Sequence, residues 1–276
     1  MPLKKEESGR RSVQVEVEVP GTPEQVWQAI ATGPGVSSWF VPTQVEERDG
    51  RPATITAHFG PGMDSLATVT AWEPPHRFEA ESQDLGPSAP PIATEWIVEA
   101  RSGGTCVVRV VHSLFASSDD WNDQLAGFEF GWPKFFLLLR LYLTHFAGHS
   151  CSAYRVMGAA PEPEARAWEA LTGPLGLAGA SMGQRWSTTS GVPQLAGIVE
   201  RTSEGERNKS LLLRLDEPAP GIVSLFAHTM GGKVYLMIDF YLYGDRAAAA
   251  AARDEPLWHV WMSELCASID DQSSAA

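Results

Sequence analysis

The chain begins with a segment in which apolar and polar residues strictly alternate. Valines occupy every second position from Val13 to Val19, and Gln14, Glu16 and Glu18 stand between them. Successive side chains of a strand point to opposite faces, so this period of two predicts a half-buried β-strand. Pro20 and Gly21 are expected to end it.

A short helix is predicted directly after that strand. Thr22 suits the N-cap, Pro23 the first helical position, and Gln25 completes a capping box three residues after the cap. Val26, Trp27 and Ile30 supply an apolar stripe. Gly33 and Pro34 are expected to stop the helix.

The region from about Val45 to Ser113 has the pattern of an antiparallel meander. The segments ATITAHF and SLATVTAW flank GPGMD, which is typical of a hairpin turn. RFEAES, ATEWIVEA and TCVVRVVHS are further predicted strands, and Gly103-Gly104 marks a second hairpin.

A long amphipathic helix is predicted to follow the meander. Large apolar residues recur there at steps of three and four, which places them on one face: Trp121, Leu125, Phe128, Trp132, Phe135, Leu139, Tyr142 and Phe146. Pro133 falls within this stretch and predicts a kink or break near Gly131.

The second half of the chain repeats this order in shortened form. TPEQVWQAIATGP at 22–34 returns as EPEARAWEALTGP at 162–174, a spacing that suits a duplicated domain. Strands are predicted at QLAGIVE, SLLLRL, GIVSLFAH and KVYLMIDFYLY, and a final helix from about Arg246. We expect domains at 12–148 and 154–270, with a linker near 149–161.

Composition narrows the classes of partner. The formal net charge of −13 argues against nucleic acid and against an anionic membrane surface, since both favour basic patches. Three cysteines without CxxC spacing suit a reducing compartment, and the most apolar run is broken by Arg140 and is too short to cross a bilayer. A cytoplasmic protein without membrane insertion is expected.

The first half resembles a known family through several motifs. These are Pro23-Glu24-x-Val26-Trp27, Trp39-Phe40 and Gly131-Trp132 with the leucines and Tyr142 that follow. They are similar to the family named for the activator of the heat-shock-protein-90 ATPase. That family lies within the helix-grip (SRPBCC) superfamily, with the START domains, polyketide cyclases and birch pollen allergen. The resemblance covers residues 12–147.

The resemblance implies an α+β fold of two tandem helix-grip domains, each a curved antiparallel sheet around a long C-terminal helix. The second domain is expected to be degenerate, because Gly176-Leu177-Ala178-Gly179 stands where the first has its Trp-Phe pair. The resemblance also implies a cavity between sheet and helix in the first domain. The candidate wall residues are Trp39, Phe40, His58, Trp72, Trp96, His112, Phe128, Trp132 and Phe136.

The sequence specifies the chemistry within such a cavity less clearly than it specifies the fold. His58 and His112 lie on predicted strands and could act as acid or base. Glu95 and Trp96 are adjacent, so at most one of them points inward. His145 and His149 have a spacing that metal ligands can use, but no further ligand accompanies them, and no metal or cofactor is expected.

The function predicted from the sequence is binding of a small hydrophobic molecule in the first domain, with no catalysis assumed. Two alternatives stay open. One is a polyketide aromatase/cyclase-like enzyme, because paired helix-grip domains are the layout of such enzymes. The other is a chaperone-associated interaction protein, which leaves a chaperone contact or a homodimer as a further partner.

Overall fold

The chain forms two compact units, residues 1–148 and 149–276, in a computed structural model. The structure describes residues 4–5, 9–60, 62–84, 90–115, 122–161, 163–203 and 209–274, and only the backbone of 5, 122–130 and 271–274. Each unit is described by itself.

Unit 1 is an eight-stranded antiparallel sheet with three helices. Its elements follow in chain order: β1 (Lys4–Lys5), β2 (Arg10–Pro20), α1 (Pro23–Ala31), α2 (Gly33–Ser37), β3 (Thr43–Arg48), β4 (Arg51–His58), β5 (Asp64–Glu73), β6 (Arg77–Ser82), β7 (Ile92–Arg101), β8 (Thr105–Phe115) and α3 (Asn122–His145). The strand order is β1-β2-β8-β7-β6-β5-β4-β3. The predicted meander, both of its hairpins and the alternating first strand are thus present.

The start of α1 is fixed by the predicted capping box. The Thr22 hydroxyl accepts from the Gln25 backbone N–H, and the Gln25 side chain accepts from the Thr22 N–H at 3.0 Å. As expected, α1 ends just before Gly33 and Pro34, and these two residues also open α2. Thr32 caps that second helix by accepting from the Gly35 N–H at 3.1 Å.

The sheet of unit 1 is bent by irregularities in its register. Bulges interrupt the pairing between Glu46 and Glu47 in β3 and between Val69 and Ala71 in β5, and such bulges increase local bending and twist. Helix α3 packs against β2 and β8. It runs without interruption through Pro133, so the predicted break near Gly131 does not occur.

Unit 2 repeats this arrangement with fewer strands. Its elements are β9 (Cys151–Pro161), α4 (Glu164–Thr172), β10 (Arg185–Ser187), β11 (Ala196–Ser203), β12 (Ser210–Glu217), β13 (Gly221–Met230), β14 (Lys233–Tyr243) and α5 (Ala247–Ser274). The order is β10-β11-β12-β13-β14-β9. In both units the first long strand pairs with the last one, and a long helix closes the unit. The α+β fold with tandem helix-grip units, the second reduced, is confirmed.

The linker predicted at 149–161 was wrong. Those residues include β9, which pairs with β14 along its whole length, from Cys151 opposite Tyr243 to Pro161 opposite Lys233. Helix α5 lies on β9 at Gly158, where an added methyl group would come within 2.9 Å of Met262 Cγ. The absence of a side chain at Gly158 therefore sets how closely helix and strand approach.

Large side chains pack between the sheet and the helix in unit 2. Trp258 of α5 is fully buried and lies 5.2 Å from Phe240 and 5.4 Å from Trp261, measured between ring centroids. Leu213 and Leu236 are also fully buried in this core. Among the described helices of the chain, none has the length and apolarity needed to cross a bilayer.

Candidate functional site

Unit 1 contains a cavity of about 570 Å³ between its sheet, the α1–α2 corner and α3. The side chains around it are mostly aliphatic or aromatic. They come from Ile30, Ala31 and Val36, from Trp39, Phe40, Thr43 and Val45, from strands β4 to β8, and from Gly131, Trp132 and Phe135 of α3. Cavities of about 300–1,000 Å³ with such walls are the usual sites for small organic ligands.

Small residues on three neighbouring strands leave this space open. Ala57 of β4 pairs with Ser65 of β5, and Ala67 of β5 pairs with Ser82 of β6. Ala80 lies two residues before Ser82 and therefore shares its face. All five line the cavity. Leucine-sized side chains at these positions would fill the hollow, so these five small residues keep the cavity open.

Aromatic rings form the opposite wall. Phe40 stacks on Trp132 at 5.5 Å and meets Phe135 edge-on at 4.5 Å, both distances between ring centroids. Trp96 packs edge-on against Trp132 at 5.0 Å. Trp39 is held by its indole N–H, which donates to the Ala29 carbonyl at 2.9 Å. The wall is therefore preformed, with its rings fixed by one another.

His112 connects this aromatic wall to the sheet. It lies on β8 opposite Thr94 of β7, and its Nδ1 is 2.9 Å from Thr94 Oγ1. Its Nε2 accepts a hydrogen bond from the Trp132 indole N–H. An indole N–H only donates, so Nε2 must be unprotonated, and the ring proton of the neutral imidazole is assigned to Nδ1. Nδ1–H consequently donates to the Thr94 hydroxyl oxygen.

Burial keeps this histidine uncharged. His112 is 5% exposed, and desolvation of the imidazolium lowers the pKa of His112 from 6.5 to about 3. A neutral ring with both nitrogens occupied is poorly placed to remove a proton from a bound molecule, because general bases need a free lone pair near the operating pH.

An acidic side chain lies at the open end of the cavity. Asp84 is exposed yet lines the cavity, and its Oδ2 accepts hydrogen bonds from Ser65 at 2.7 Å and from Ser82 at 2.9 Å. Ala80, on the same strand face, pairs with Thr94. Asp84 lies beyond the end of β6, and its carboxylate folds back onto Ser82, which is two residues, or roughly 7 Å, along the strand from Ala80. His112 and Asp84 are thus at different ends of the cavity.

Five of the nine predicted wall residues line this cavity: Trp39, Phe40, Trp96, His112 and Trp132. Phe136 lies behind it, with its ring 5.5 Å from Trp132 and 6.2 Å from Trp96. Trp72 does not line the cavity. The β5 bulge brings it onto the inner face of the sheet, opposite Phe78, and there it packs against Trp27 of α1 at 5.0 Å between ring centroids.

The remaining predicted residues take no described part in the wall. His58 does not line the cavity, and its Nδ1 is 2.9 Å from Asp64 Oδ1 across the β4–β5 hairpin. The side chain of Phe128 lies outside the described residues. Glu95 points away from Trp96, as alternation requires, and accepts from Arg77 Nε on the other face of the sheet. No histidine–glutamate pair forms at this site among the described side chains.

Sequence reasoning missed the polar groups Thr94, Asp84, Ser65 and Ser82, and the rings of Phe59, Phe78 and Phe135. The run Phe78, Ala80, Ser82, Asp84 keeps the period of two that marks one strand face, and Phe135 lies one helical turn after Trp132. These two periodicities could have identified Phe78, Ser82, Asp84 and Phe135 from the sequence. The cross-strand neighbours could not be read, because they depend on register and on a bulge.

Unit 2 has a different depression. A groove of about 630 Å³ is lined by α4, by residues 177–180 and by the adjoining ends of β11 and β12. Helix α5 contributes nothing to its lining. It is therefore not the counterpart of the unit 1 cavity between sheet and long helix.

The fold makes unit 1 a helix-grip domain with a cavity between its sheet and its long helix. Residues 10–131 match the family model described as "Polyketide cyclase / dehydrase and lipid transport". The match confirms, for the first half of the chain, the superfamily resemblance stated from the sequence. A comparison with curated protein sequences gave no match.

Several solved structures are similar to the chain. The di-domain ARO/CYC BexL from the BE-7585A biosynthetic pathway is 14% identical, with 93% of this chain and 98% of that chain covered and a TM-score of 0.44. DynU16, a putative protein in the dynemicin biosynthetic locus, is 18% identical, with coverages of 94% and 96% and a TM-score of 0.40. The Aha1 dimer from Colwellia psychrerythraea is 20% identical over 50% of this chain and 98% of that chain, with a TM-score of 0.40.

Proposed function

We propose that unit 1 binds a small, largely apolar molecule in its cavity and performs no covalent chemistry on it. The observation that carries this proposal is the preformed hollow of about 570 Å³, with aromatic rings on one side and small side chains on the other. Apolar ligands gain most of their binding free energy from removing such surfaces from water, and a preformed wall lowers the ordering cost.

The same geometry weighs against the aromatase/cyclase alternative. An acid–base mechanism needs a titratable group with a free lone pair beside the reacting atoms. His112 has both nitrogens engaged, and burial lowers the pKa of its imidazolium to about 3. Asp84 stands at the mouth, and among the described side chains no carboxylate partners His112 inside the cavity. Binding without turnover is the function we propose.

Tryptophan fluorescence from the cavity wall can be used to test whether a ligand binds. Trp39, Trp96 and Trp132 all line the cavity, so a bound aromatic molecule should quench part of the tryptophan fluorescence. The probes are neutral two-ring aromatic compounds, titrated into the full chain. Saturable quenching is expected, and calorimetry should report a matching dissociation constant.

A cavity-filling variant sharpens the test. Ala67→Leu adds a side chain inside the hollow, and binding should weaken at least tenfold. Ala71→Leu is the matched control on the same strand, because Ala71 pairs with the outward-facing Glu79 and should leave binding unchanged. Absence of saturable binding to the wild type, or equal binding by both variants, would count against the cavity as the ligand site.

A further inference from the structure

Helix α5 carries apolar side chains on its outer surface as well as on its inner one. The inner surface includes Trp258 and Met262, which are buried in the core of unit 2. Leu257 and Val260 point away from that core and are 52% and 56% exposed. They are three residues apart, so they are neighbours on the helix surface. Polar side chains are expected at such positions when a helix surface meets only water.

A charged residue stands at each end of this apolar pair, and the two charges are opposite. Arg253 lies four residues before Leu257, Glu264 lies four residues after Val260, and both are exposed. Steps of four, three and four are the spacing of a coiled-coil seam. We call Arg253, Leu257, Val260 and Glu264 the outer seam. It extends over roughly 16 Å of helix.

The outer seam is complementary to itself when a second copy lies antiparallel to it. A two-fold axis through the middle of the seam sets Leu257 opposite Val260 of the second copy. The same axis sets Arg253 opposite Glu264 of the second copy. Two-fold symmetry repeats each contact, which gives two apolar layers between two ion pairs. A parallel pairing would instead place like charges opposite each other, so the charges select the antiparallel direction.

The side chain of Arg253 is already positioned for this contact. Its Nε and Nη2 donate to the carboxylate of the buried Asp254 at 2.6 and 2.7 Å. A guanidinium has five N–H donors, so the hydrogens of Nη1 remain, and they have no acceptor within the described residues. The Glu264 carboxylate likewise has no hydrogen bond or ion pair within the described residues. The two groups can therefore pair without breaking a contact of the single chain.

The surroundings of the outer seam suit a second helix. Ser263 and Ala267 lie along one side of it, and both are exposed and small, which lets another helix approach closely. Trp261 lies along the other side, packed in part against the core of unit 2, and widens the apolar strip. An anionic membrane would be repelled by Glu264 and by the net charge of −13.

From this self-complementarity we propose that two copies of the chain associate through α5, with their outer seams packed antiparallel. The contact is shorter than a standard protein interface, so the dimer is expected to be weak and to form at micromolar concentrations. The ion pairs are exposed and contribute mainly to direction and register, while the apolar layers supply most of the affinity. This association involves unit 2 and does not depend on the cavity of unit 1.

Sedimentation equilibrium of the full chain tests the association. The wild type should change from monomer to dimer between about 1 and about 500 µM. Val260→Asp should weaken the dimer about tenfold or more, because it places a carboxylate against the apolar side chain of Leu257. Met230→Asp is the matched control, since Met230 is 59% exposed but lies at the β13–β14 hairpin. Near-ultraviolet circular dichroism verifies that both variants are folded.

Variants of Glu264 test the ion pairs. Glu264→Arg should weaken the dimer about tenfold, because two attractions with Arg253 become two repulsions. Glu264→Gln only removes the attraction and should weaken the dimer less. An unchanged dissociation constant for Glu264→Arg would overturn the pairing of these residues.

Cross-linking with a short bismaleimide tests the antiparallel register. Ala249 and Ala267 are exposed on the same side of the seam, and each comes opposite the other in the proposed pair. A mixture of Ala249→Cys and Ala267→Cys copies should therefore give a cross-linked heterodimer. Neither variant alone should exceed the background of the wild type and its three cysteines, because identical positions are roughly 25 Å apart.

Three results would overturn the proposal. One is a wild type that stays monomeric up to about 500 µM. Another is a dimer that Val260→Asp and Met230→Asp weaken equally, or one in which each cysteine variant cross-links with itself as readily as in the mixture. The third is binding of a monomeric wild type to zwitterionic lipid vesicles that is lost in Val260→Asp, which would assign the outer seam to a lipid surface.

Discussion

At the scale of single residues, His112 shows how packing can remove chemistry that a sequence suggests. A strand histidine is a natural candidate for acid–base work. Here it stacks on Trp132 at 5.7 Å between ring centroids, and its two nitrogens face an indole donor and a threonine hydroxyl. Its role is therefore to orient Thr94, and the same environment makes the residue a source of pH-dependent stability.

The stability of unit 1 should fall as His112 is forced to accept a proton. The pKa of His112 is lowered from 6.5 to about 3 by burial, so between these values the unfolded chain binds a proton that the native state does not. The free energy of unfolding then rises with pH in this window, by up to about 1.4 kcal/mol per pH unit. The contribution is present above pH 6.5 and is lost as the pH falls towards 3.

Urea unfolding of the wild type and of His112→Gln at several pH values between 7 and 4 measures this contribution. The variant should be less stable at pH 7 and should show the shallower decline on acidification, because its carboxylates titrate as before and only the histidine is gone. The ring signals of His112 should also stay constant in NMR spectra from pH 7 to 4. Equal slopes, or a His112 signal that titrates near pH 6, would contradict the assignment.

At the scale of elements, local sequence signals predicted those helix starts and strands that do not depend on contacts with other elements. The capping box fixed the start of α1, and the valine alternation fixed β2. Strand β9 was missed because its residues show no alternation of large apolar and polar side chains. Its inward positions are Tyr154, Val156, Gly158 and Ala160, which become small where α5 lies close. Because α5 packs so closely on β9, small residues stand where a strand usually has large apolar ones, and the alternation that predicts a strand is lost.

Only part of the cavity could be predicted from the sequence. Aromatic residues such as Trp39 and Trp96 stand out in a sequence, so much of the wall was found. The hollow depends on Ala67 and Ser82 becoming neighbours, and the position of Trp72 opposite Phe78 depends on a bulge. Neither register nor bulges follow from composition or periodicity, since a shift of one residue reverses every side chain.

The packing of α5 on β9 gives a prediction about one glycine. Gly158→Ala should destabilise unit 2 by about 1–3 kcal/mol, because the new methyl group would overlap Met262 and the Cys266 sulfur in a close-packed core. Gly131→Ala is the matched control in α3, where an added methyl group meets nothing within 4 Å. That change should be neutral or stabilise by up to about 1 kcal/mol. Chemical denaturation of both variants measures the difference, and equal effects would contradict the close approach.

At the scale of the whole molecule, the two units share one strand connectivity but differ in the side chains between sheet and helix. In each, the first long strand pairs with the last strand and lies under the final helix. In unit 1 the facing side chains include Ala57, Ala67 and Ala80, and a hollow remains. In unit 2 they include Phe240 and Trp258, which are buried in its core. The two units share this strand pairing, and they differ in the size of the side chains between sheet and helix.

Unit 2 starts before β9, at residue 149, and fragments of the chain can test the role of β9 in its folding. Residues 149–276 should fold cooperatively, whereas residues 162–276 should not. The shorter fragment lacks β9, which pairs with all of β14 and carries the surface on which α5 lies. Without it, β14 would become an exposed edge and α5 would have to leave Trp258 in water.

A fragment of residues 154–276, which begins at the boundary predicted from the sequence, loses only the pairs of Cys151, Ser152 and Ala153 and should be folded but less stable. Near-ultraviolet circular dichroism and urea unfolding rank the three fragments. Cooperative unfolding of residues 162–276 would show that β9 is dispensable and that the first strand does not define the unit.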